Sequence, residues 1–405
     1  MTNQHISSSE ILRDVRYEIR GSIANHALEL EKQGYEIISL NIGNPGLFGF
    51  RTPESMRLAM IENLDQAEPY CDRKGIFPAR EAIVMQQQSR GVTGITVEEV
   101  FIGNGVSELI DMSLRALLNP GDEILIPSPD YPLWSAATVL NGGKSVFYEC
   151  TSDNKFLPNL DQIESKISSK TKAIVVINPN NPSGAVYDRD TLKSIADLAE
   201  RNNLVLLSDE IYDQMIYDDA EFIPMASIAK NSVCLTFSGL SKIYRACGYR
   251  VGWVVFSGDI ERASQYQHGM TKLSALRLCS NVPGQWAVQT ALGGIQSIKK
   301  LVNPEGRLYQ SRNTVINRAS ESSYLHLERP MGAMYAFLKL DERFNKKLDD
   351  YTFAHELLEK KHVLIAPGSS FNTPYSNHFR ITTLPDTDTI DIVFDRIEDF
   401  LKQYS

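Results

Sequence analysis

Lys242 is the residue of this chain best placed for covalent chemistry, because it follows a short apolar segment and lies among serines and arginines. Residues 233–237 lead into Ser238-Gly239-Leu240-Ser241-Lys242, and Arg245 and Arg250 follow closely. A lysine amine can attack a carbonyl group and form a Schiff base. Taken alone, such a lysine is more simply interpreted as a solvated surface residue.

A second loop has the features of an anion-binding site. Residues 100–102 are followed by Gly103-Asn104-Gly105-Val106-Ser107-Glu108, which opens a helix. Glycines allow close approach, and the free N–H groups at a helix start favour a phosphate. A dinucleotide-binding fingerprint needs a third glycine where this chain has Glu108, so that interpretation loses support. A plain turn between strand and helix is the alternative.

Two further loops carry polar side chains at the ends of apolar segments. Residues 173–177 lead into Asn178-Pro179-Asn180-Asn181-Pro182-Ser183-Gly184, a loop of turn-forming residues and amides. Residues 204–207 lead into Ser208-Asp209-Glu210-Ile211-Tyr212. A carboxylate at the end of a buried strand is unfavourable unless a cation or a hydrogen-bonding group pairs with it. We therefore expect Asp209 to have such a partner.

The elements that carry these loops alternate between short apolar segments and stretches with helical spacing. This alternation predicts an α/β fold with a mostly parallel central sheet between helices, and ligands beyond the carboxyl ends of its strands. The pattern changes after residue 300 and predicts a smaller α+β domain. The predicted strands are residues 100–102, 123–127, 173–177, 204–207, 233–237, 251–256, 334–340 and 363–366; helices are predicted at 108–118, near 351–361 and from Ile390.

Composition narrows the class of function. The chain has 405 residues, 42% hydrophobic and 22% charged, and a net charge of -9, which argues against nucleic-acid and anionic-membrane partners. Its apolar segments are far too short to span a bilayer. The polar N-terminus and five scattered cysteines favour a cytoplasmic protein. The histidines and cysteines show no metal-binding spacing, so no metal site is expected.

Together the four loops resemble those of fold-type-I pyridoxal-5'-phosphate (PLP) enzymes, and among them the class I aminotransferases. The resemblance extends from Asn41-Ile42-Gly43-Asn44-Pro45 to Arg380. The bacterial alanine aminotransferases are the subgroup that the chain resembles most. The motifs that indicate this subgroup are Tyr17-Glu18-Ile19-Arg20-Gly21, Pro129-Asp130-Tyr131-Pro132-Leu133-Trp134 and Ser241-Lys242-Ile243-Tyr244-Arg245.

The resemblance implies a role for each residue around the cofactor. Lys242 forms the Schiff base and moves the substrate proton, Asp209 pairs with the pyridine nitrogen, and Tyr212 and Asn181 bind the ring O3' oxygen. Tyr131 stacks on the ring. The phosphate is assigned to Val106, Ser107, Ser238, Ser241 and Arg250, with Tyr70 reaching the phosphate of the neighbouring subunit in a homodimer with shared active sites.

The resemblance also implies the substrate-binding residues. Arg380 grips the α-carboxylate in a bidentate pair, and a surface arginine on a strand is the alternative. Gly43, Tyr17 and Arg20 line the substrate side, and Arg20 is the hypothesised movable cation for a distal carboxylate. Asn181 is shared between the cofactor and substrate sides. Cys247 is expected to have a packing role.

The predicted organisation has an N-terminal segment (1–48) that joins the small domain, a large PLP-binding domain (49–300) and a C-terminal small domain (301–405). The predicted reaction is ping-pong amino transfer between alanine and 2-oxoglutarate, giving pyruvate and glutamate. Three alternatives use similar residues. They are an aminotransferase of aspartate, aromatic or branched-chain substrates; a PLP-dependent C–S lyase or cyclopropane-forming synthase; and a PLP-binding transcription regulator, against which the short, non-basic N-terminal segment argues.

Overall fold

A computed structural model describes residues 6–404, with Arg20 described by its backbone only. The strands are β1 (Ile38–Ser39), β2 (Val100–Gly103), β3 (Glu123–Ser128), β4 (Lys144–Glu149), β5 (Thr171–Ile177), β6 (Val205–Asp209), β7 (Val233–Gly239), β8 (Gly252–Gly258), β9 (Leu325–Leu327), β10 (Tyr335–Leu340), β11 (Val363–Leu364), β12 (Ala366–Pro367) and β13 (His378–Thr382).

Helices connect and cover these strands. They are α1 (Ser22–Lys32), α2 (Glu54–Glu62), α3 (Phe77–Ser89), α4 (Val106–Leu117), α5 (Leu133–Leu140), α6 (Leu160–Lys166), α7 (Arg189–Arg201), α8 (Met225–Ile228), α9 (Ser264–Leu276), α10 (Val282–Gly293), α11 (Ile298–Val302), α12 (Arg307–Glu321), α13 (Asp350–Lys361) and α14 (Thr387–Leu401). None of the described helices is long and apolar enough to cross a membrane.

The central sheet has seven strands in the order β2-β8-β7-β6-β5-β3-β4. Strand β8 runs antiparallel to both its neighbours, whereas the pairs from β7 to β4 are parallel. Both faces of the sheet are buried. Alternate residues of a strand point to opposite faces, so burial on both sides can be followed along a single strand. In β5, Val175 and Ile177 join one apolar cluster, while Ile174 and Val176 join another. The α/β prediction with a mostly parallel central sheet is confirmed.

A second, four-stranded antiparallel sheet has the order β12-β13-β10-β9. The N-terminal segment packs into the same core, where Ile23, Ala27 and Leu30 of α1 share an apolar cluster with residues of β10, β13 and α14. Backbone bonds reinforce this packing, since Leu40 N donates to Leu364 O at 2.7 Å and Thr382 N donates to Leu40 O at 2.9 Å. The domain boundaries near residues 49 and 300 stay a prediction.

Candidate active site

A cavity of about 600 Å³ opens beyond the carboxyl ends of β5 and β6 and between the two sheets. This is the edge of an open α/β sheet where ligands ordinarily bind. Its lining residues are Tyr17, Ile19, Ile42, Gly43, Asn44, Val106, Ser107, Tyr131, Ile177, Asn181, Asp209, Ile211, Tyr212, Ser241, Lys242, Cys247, Gly248, Arg250, Tyr335 and Arg380.

Most of the residues predicted for the site therefore meet at one cavity, although they are spread along the chain. Ser238 is buried at the end of β7 and is not among the lining residues. Tyr70 is 78% exposed and does not line the cavity of its own chain either. The side chain of Arg20 lies outside the described part of the structure.

Lys242 lies in the loop after β7, half-buried at the cavity wall. Its Nζ donates a hydrogen bond to the backbone oxygen of Gly43 at 2.6 Å. The amine is thus held at the contact between the large sheet and the N-terminal segment. This placement rules out the freely solvated lysine that is the simpler interpretation of the sequence.

Asp209 ends β6 and is 3% exposed. Its Oδ2 accepts a hydrogen bond from Trp134 Nε1 at 3.2 Å. Burial raises the pKa of Asp209 to about 6, against the opposing effects of the Trp134 bond and the charge of Lys242. The carboxylate has a hydrogen-bonding partner, as expected. A cation paired with it would lower its pKa and keep it ionised.

The loop between β2 and α4 has the geometry of an anion cradle. Gly105 has φ +82° and makes no side-chain cap, so the first N–H groups of α4 at Val106 and Ser107 stay available. A Cβ at Gly105 would come within 2.4 Å of Arg250 Nη2. The glycine therefore lets the guanidinium approach the start of the helix, where an anion would bind both.

Glu108, which stands where a dinucleotide-binding fingerprint has its third glycine, bonds to the loop through its side chain. Its carboxylate accepts hydrogen bonds from Asn104 N at 2.7 Å and Asn104 Nδ2 at 3.0 Å. Arg277 Nη1 lies 2.5 Å from the same carboxylate. These contacts fix the strand-to-helix turn without closing the cradle.

Arg380, on β13, is 2% exposed at the opposite wall of the cavity. Its Nη1 donates to Asn181 Oδ1 at 2.8 Å, and its Nη2 donates to the backbone oxygen of Asn41. The guanidinium lies 4.2 Å from the Tyr335 ring centre and 4.6 Å from that of Phe371. Burial lowers its pKa. Within the described part of the chain, no carboxylate forms an ion pair with this guanidinium, and a buried cation of this kind attracts an anionic ligand.

Tyr335 is a site residue that the sequence analysis missed. Its hydroxyl accepts a hydrogen bond from Tyr212 at 3.1 Å inside the cavity. Burial opposes its ionisation, but Lys242 and Arg380 outweigh that effect and lower the pKa of Tyr335. It stands at the start of β10, two residues before the partner of Arg380 in the neighbouring strand, and this pairing is not visible in the sequence.

Two smaller contacts complete the cavity wall. The hydroxyls of Tyr17 and Tyr131 lie 3.5 Å apart, which connects the N-terminal segment to the loop before α5. Cys247, expected to have a packing role, lines the cavity, and its Sγ donates to Ser241 O at 2.9 Å.

No group of three or more His, Cys, Asp or Glu that could hold a metal ion occurs within residues 6–404.

Replacing Gly43 with alanine should reduce kcat/KM by about 100-fold, because misplacing a site group by about 1 Å has effects of that size. A Cβ at Gly43 would lie 2.1 Å from the Tyr335 hydroxyl and 2.7 Å from its Cζ. Steady-state kinetics would measure the loss. Gly46→Ala is the matched control, since its nearest contact is Asn44 Oδ1 at 3.7 Å. Unchanged kinetics in the Gly43 variant would show that this wall tolerates displacement.

This fold and site belong to a known class of enzyme. The family described as aminotransferase class I and II matches residues 35–397, so the chain belongs to that family. The fold is the fold-type-I fold of PLP-dependent aminotransferases, and the expected family is confirmed.

Within this family, the chain is similar to several known proteins along nearly its whole length. The chain is 46% identical over 400 residues, 98% of each protein, to glutamate-pyruvate aminotransferase AlaA of Escherichia coli. It is also 46% identical to the alanine aminotransferase of Mycobacterium bovis, over 98% of this chain and 93% of that protein. The crystal structure of an aminotransferase from Escherichia coli matches with a TM-score of 0.97 and 45% identity, over 99% of both chains.

Proposed function

We propose that this aminotransferase uses PLP to transfer the amino group between alanine and 2-oxoglutarate. The observation that carries this proposal is the buried Arg380, which faces the same cavity as Lys242 and Asp209. The names of the two curated relatives, glutamate-pyruvate aminotransferase and alanine aminotransferase, support the choice of substrates.

The residues present fit the chemical groups of PLP. The uncapped start of α4 with Arg250 suits a phosphate. Asp209 offers a carboxylate to a protonated pyridine nitrogen, and the amine of Lys242 suits an aldehyde. Tyr131, Asn181, Ser241 and Tyr212 complete its proposed binding site. Ser238, which is buried at the end of β7, remains a proposed phosphate ligand.

When bound, PLP supplies an aldehyde for the amine and a ring that accepts electrons from the substrate carbon. Lys242 takes and returns the substrate proton at its Nζ, which the bond to Gly43 O already positions. Asp209 keeps a proton on the pyridine nitrogen by its charge. Arg380 orients the substrate through its α-carboxylate, and the hydrogen bond from Tyr212 to Tyr335 fixes these two hydroxyls at the cavity.

The cations around the cavity raise the question of which residue binds the second carboxylate of 2-oxoglutarate. Among the described residues, the lysines and arginines that line the cavity are Lys242, Arg250 and Arg380. Lys242 and Arg250 are assigned to the cofactor, and Arg380 is assigned to the α-carboxylate that every substrate shares. The distal carboxylate of 2-oxoglutarate therefore needs another cation. We assign that role to Arg20, which is close in sequence to the lining residues Tyr17 and Ile19.

Separate half-reactions test the proposed substrates. Alanine added to the PLP form of the enzyme should remove the pyridoxal absorption band and release pyruvate, and 2-oxoglutarate should then restore the band. Aspartate and aromatic amino acids are the comparison substrates. Release of free ammonia with a keto acid would identify a lyase, and no response to alanine would contradict the proposed donor.

Replacing Arg20 with methionine should raise the KM for 2-oxoglutarate by about 10- to 100-fold, since hydrogen bonds to charged groups are worth about 1.5 to 3 kcal/mol. The KM values for alanine and pyruvate should change little. Replacing Arg380 should impair every substrate. Arg13→Met is the matched control, because Arg13 lies in the same segment with its side chain 71% exposed. Equal losses for alanine and glutamate would leave Arg20 a structural residue.

We also propose a homodimer with shared active sites in the cytoplasm, and neither nucleic acid nor membrane as a partner. Tyr70 is highly exposed in the single chain, as expected of a side chain that reaches into a neighbouring subunit. The five cysteines are free thiols, which suits a reducing compartment.

A further inference from the structure

Two free thiols, Cys71 and Cys279, meet where the loop before α3 contacts the loop before α10. Both are partly buried and pack against the same apolar cluster. The thiol of Cys279 is a hydrogen-bonding neighbour of the Cys71 thiol. Although far apart in sequence, the two sulfur atoms are thus brought together by the fold.

Several contacts hold the two loops in place. Gln285 Nε2 lies 3.6 Å from Cys71 Sγ and donates to Ser280 Oγ at 3.0 Å, so one amide touches both loops. Gln285 Oε1 accepts from Ile76 N at 2.8 Å. The thiols therefore do not depend on a mobile loop to meet.

The other cysteines lie in different surroundings. Cys150 and Cys234 are buried, with exposures of 2% and 0%. Cys247 bonds to a backbone oxygen at the cavity wall. Among these five cysteines, Cys71 and Cys279 combine partial exposure with a second thiol as a neighbour.

We propose that Cys71 and Cys279 are an oxidisable dithiol, a modification site that forms an intramolecular disulfide when a small hydroperoxide reaches it. One sulfur attacks the peroxide and its O–O bond breaks. A sulfenic acid forms, and water leaves from hydrogen peroxide, or the alcohol leaves from an organic hydroperoxide. The second sulfur then displaces the hydroxyl group as water. The two thiols lose two electrons and two protons in total, and the peroxide is reduced.

The surroundings of the two sulfur atoms affect how readily they ionise. Burial raises the pKa of Cys71 to about 11, and the neighbouring Cys279 adds to this effect. Cys71 therefore stays protonated at neutral pH, and a thiolate is the reacting form. The Arg277 guanidinium is close enough to attract both sulfur atoms once ionised.

The disulfide would join two parts of the site. Cys71 directly follows Tyr70. Two residues beyond Cys279, Asn281 donates from its backbone N to Asn104 Oδ1 at 2.9 Å and from Nδ2 to Arg250 O at 2.7 Å. The bond would fix the segment that carries Tyr70 to the loop that supports the anion cradle.

Mass spectrometry tests this proposal without any activity measurement. The purified full-length holoenzyme is treated with hydrogen peroxide, unfolded in N-ethylmaleimide and digested with trypsin without reduction. Each of the five cysteines falls in a separate tryptic peptide. We expect the peptides of Cys71 and Cys279 to appear linked, and those of Cys150, Cys234 and Cys247 to appear alkylated. On a non-reducing gel the oxidised chain should migrate faster as a monomer.

Serine variants identify the pair. Cys71→Ser and Cys279→Ser should each abolish the linked peptide, whereas Cys247→Ser should leave it unchanged. The proposal is overturned if both peptides remain alkylated while the protein stays folded. It is equally overturned if the linkage joins two chains, or if either cysteine pairs with another.

Discussion

Lys242→Ala should lose at least about 10⁴-fold in turnover, because one residue supplies both the covalent attachment and the proton transfer. The variant should still bind PLP without a covalent bond, since the anion cradle and Asp209 remain. Single-turnover kinetics measure the loss. Borohydride reduction followed by mass spectrometry shows whether the cofactor is attached to the chain.

The control for this variant is chemical rescue. A small primary amine added to the Lys242→Ala protein should restore part of the proton transfer, because the cavity of about 600 Å³ has room for it. Ordinary transamination by the variant without added amine would show that Lys242 has been assigned wrongly. Cofactor loss together with unfolding would show a structural role instead.

Asp209→Asn should reduce kcat by about 100- to 1000-fold, which is the usual effect of removing a preorganised electrostatic partner of a reacting group. The amide keeps the shape of the side chain and can still accept the hydrogen bond from Trp134 Nε1. What it loses is the negative charge that holds a proton on the pyridine nitrogen. Single-turnover rates with alanine measure this effect, with circular dichroism to verify the fold.

A pH series gives an independent test of the same residue. Because burial raises the pKa of Asp209 to about 6 before any cofactor is bound, protonation below that pH removes its charge. The affinity of the cofactor-free enzyme for PLP should therefore fall as the pH drops through about 6. Asp209→Asn should show a weaker affinity that lacks this pH step. A variant with the wild-type rate and the wild-type step would reject the assignment.

The strands were predicted best where their sequence is uniformly apolar. Strands β5 and β6 lie within a few residues of their predicted positions, because burial on both faces leaves little choice of residue type. Strand β4 was missed. Lys144 and Glu149 at its ends are not fully buried, since β4 is an edge strand, and only Val146, Phe147 and Tyr148 between them form an apolar segment.

Residues 363–366 were predicted as one strand, but they change partners midway. Val363 and Leu364 pair with β1, whereas Ala366 and Pro367 pair with β13. The change depends on the N-terminal segment, which is distant in sequence. Local apolar character cannot reveal which partner a strand will take.

The site residues, like the strands, differ in how far the local sequence could indicate them. Asp209 ends a strand, and Lys242 and Asn181 lie in loops that directly follow strands, so local patterns pointed to all three. Tyr335 and Trp134 act through contacts to residues far away in the chain, with Tyr212 and Asp209 respectively. Their roles follow from three-dimensional packing, and an aromatic residue in an apolar stretch gives no sign of it.

The core shared by α1 and the C-terminal elements has a consequence for folding during synthesis. The ribosome makes α1 first, but its apolar face is covered by β10, β13 and α14, which are made last. The central sheet is complete once β8 has emerged, so it can fold before the partners of α1 have been synthesised. We therefore expect nascent chains that end before β10 to expose Ile23, Ala27 and Leu30, and to be the forms that chaperones bind.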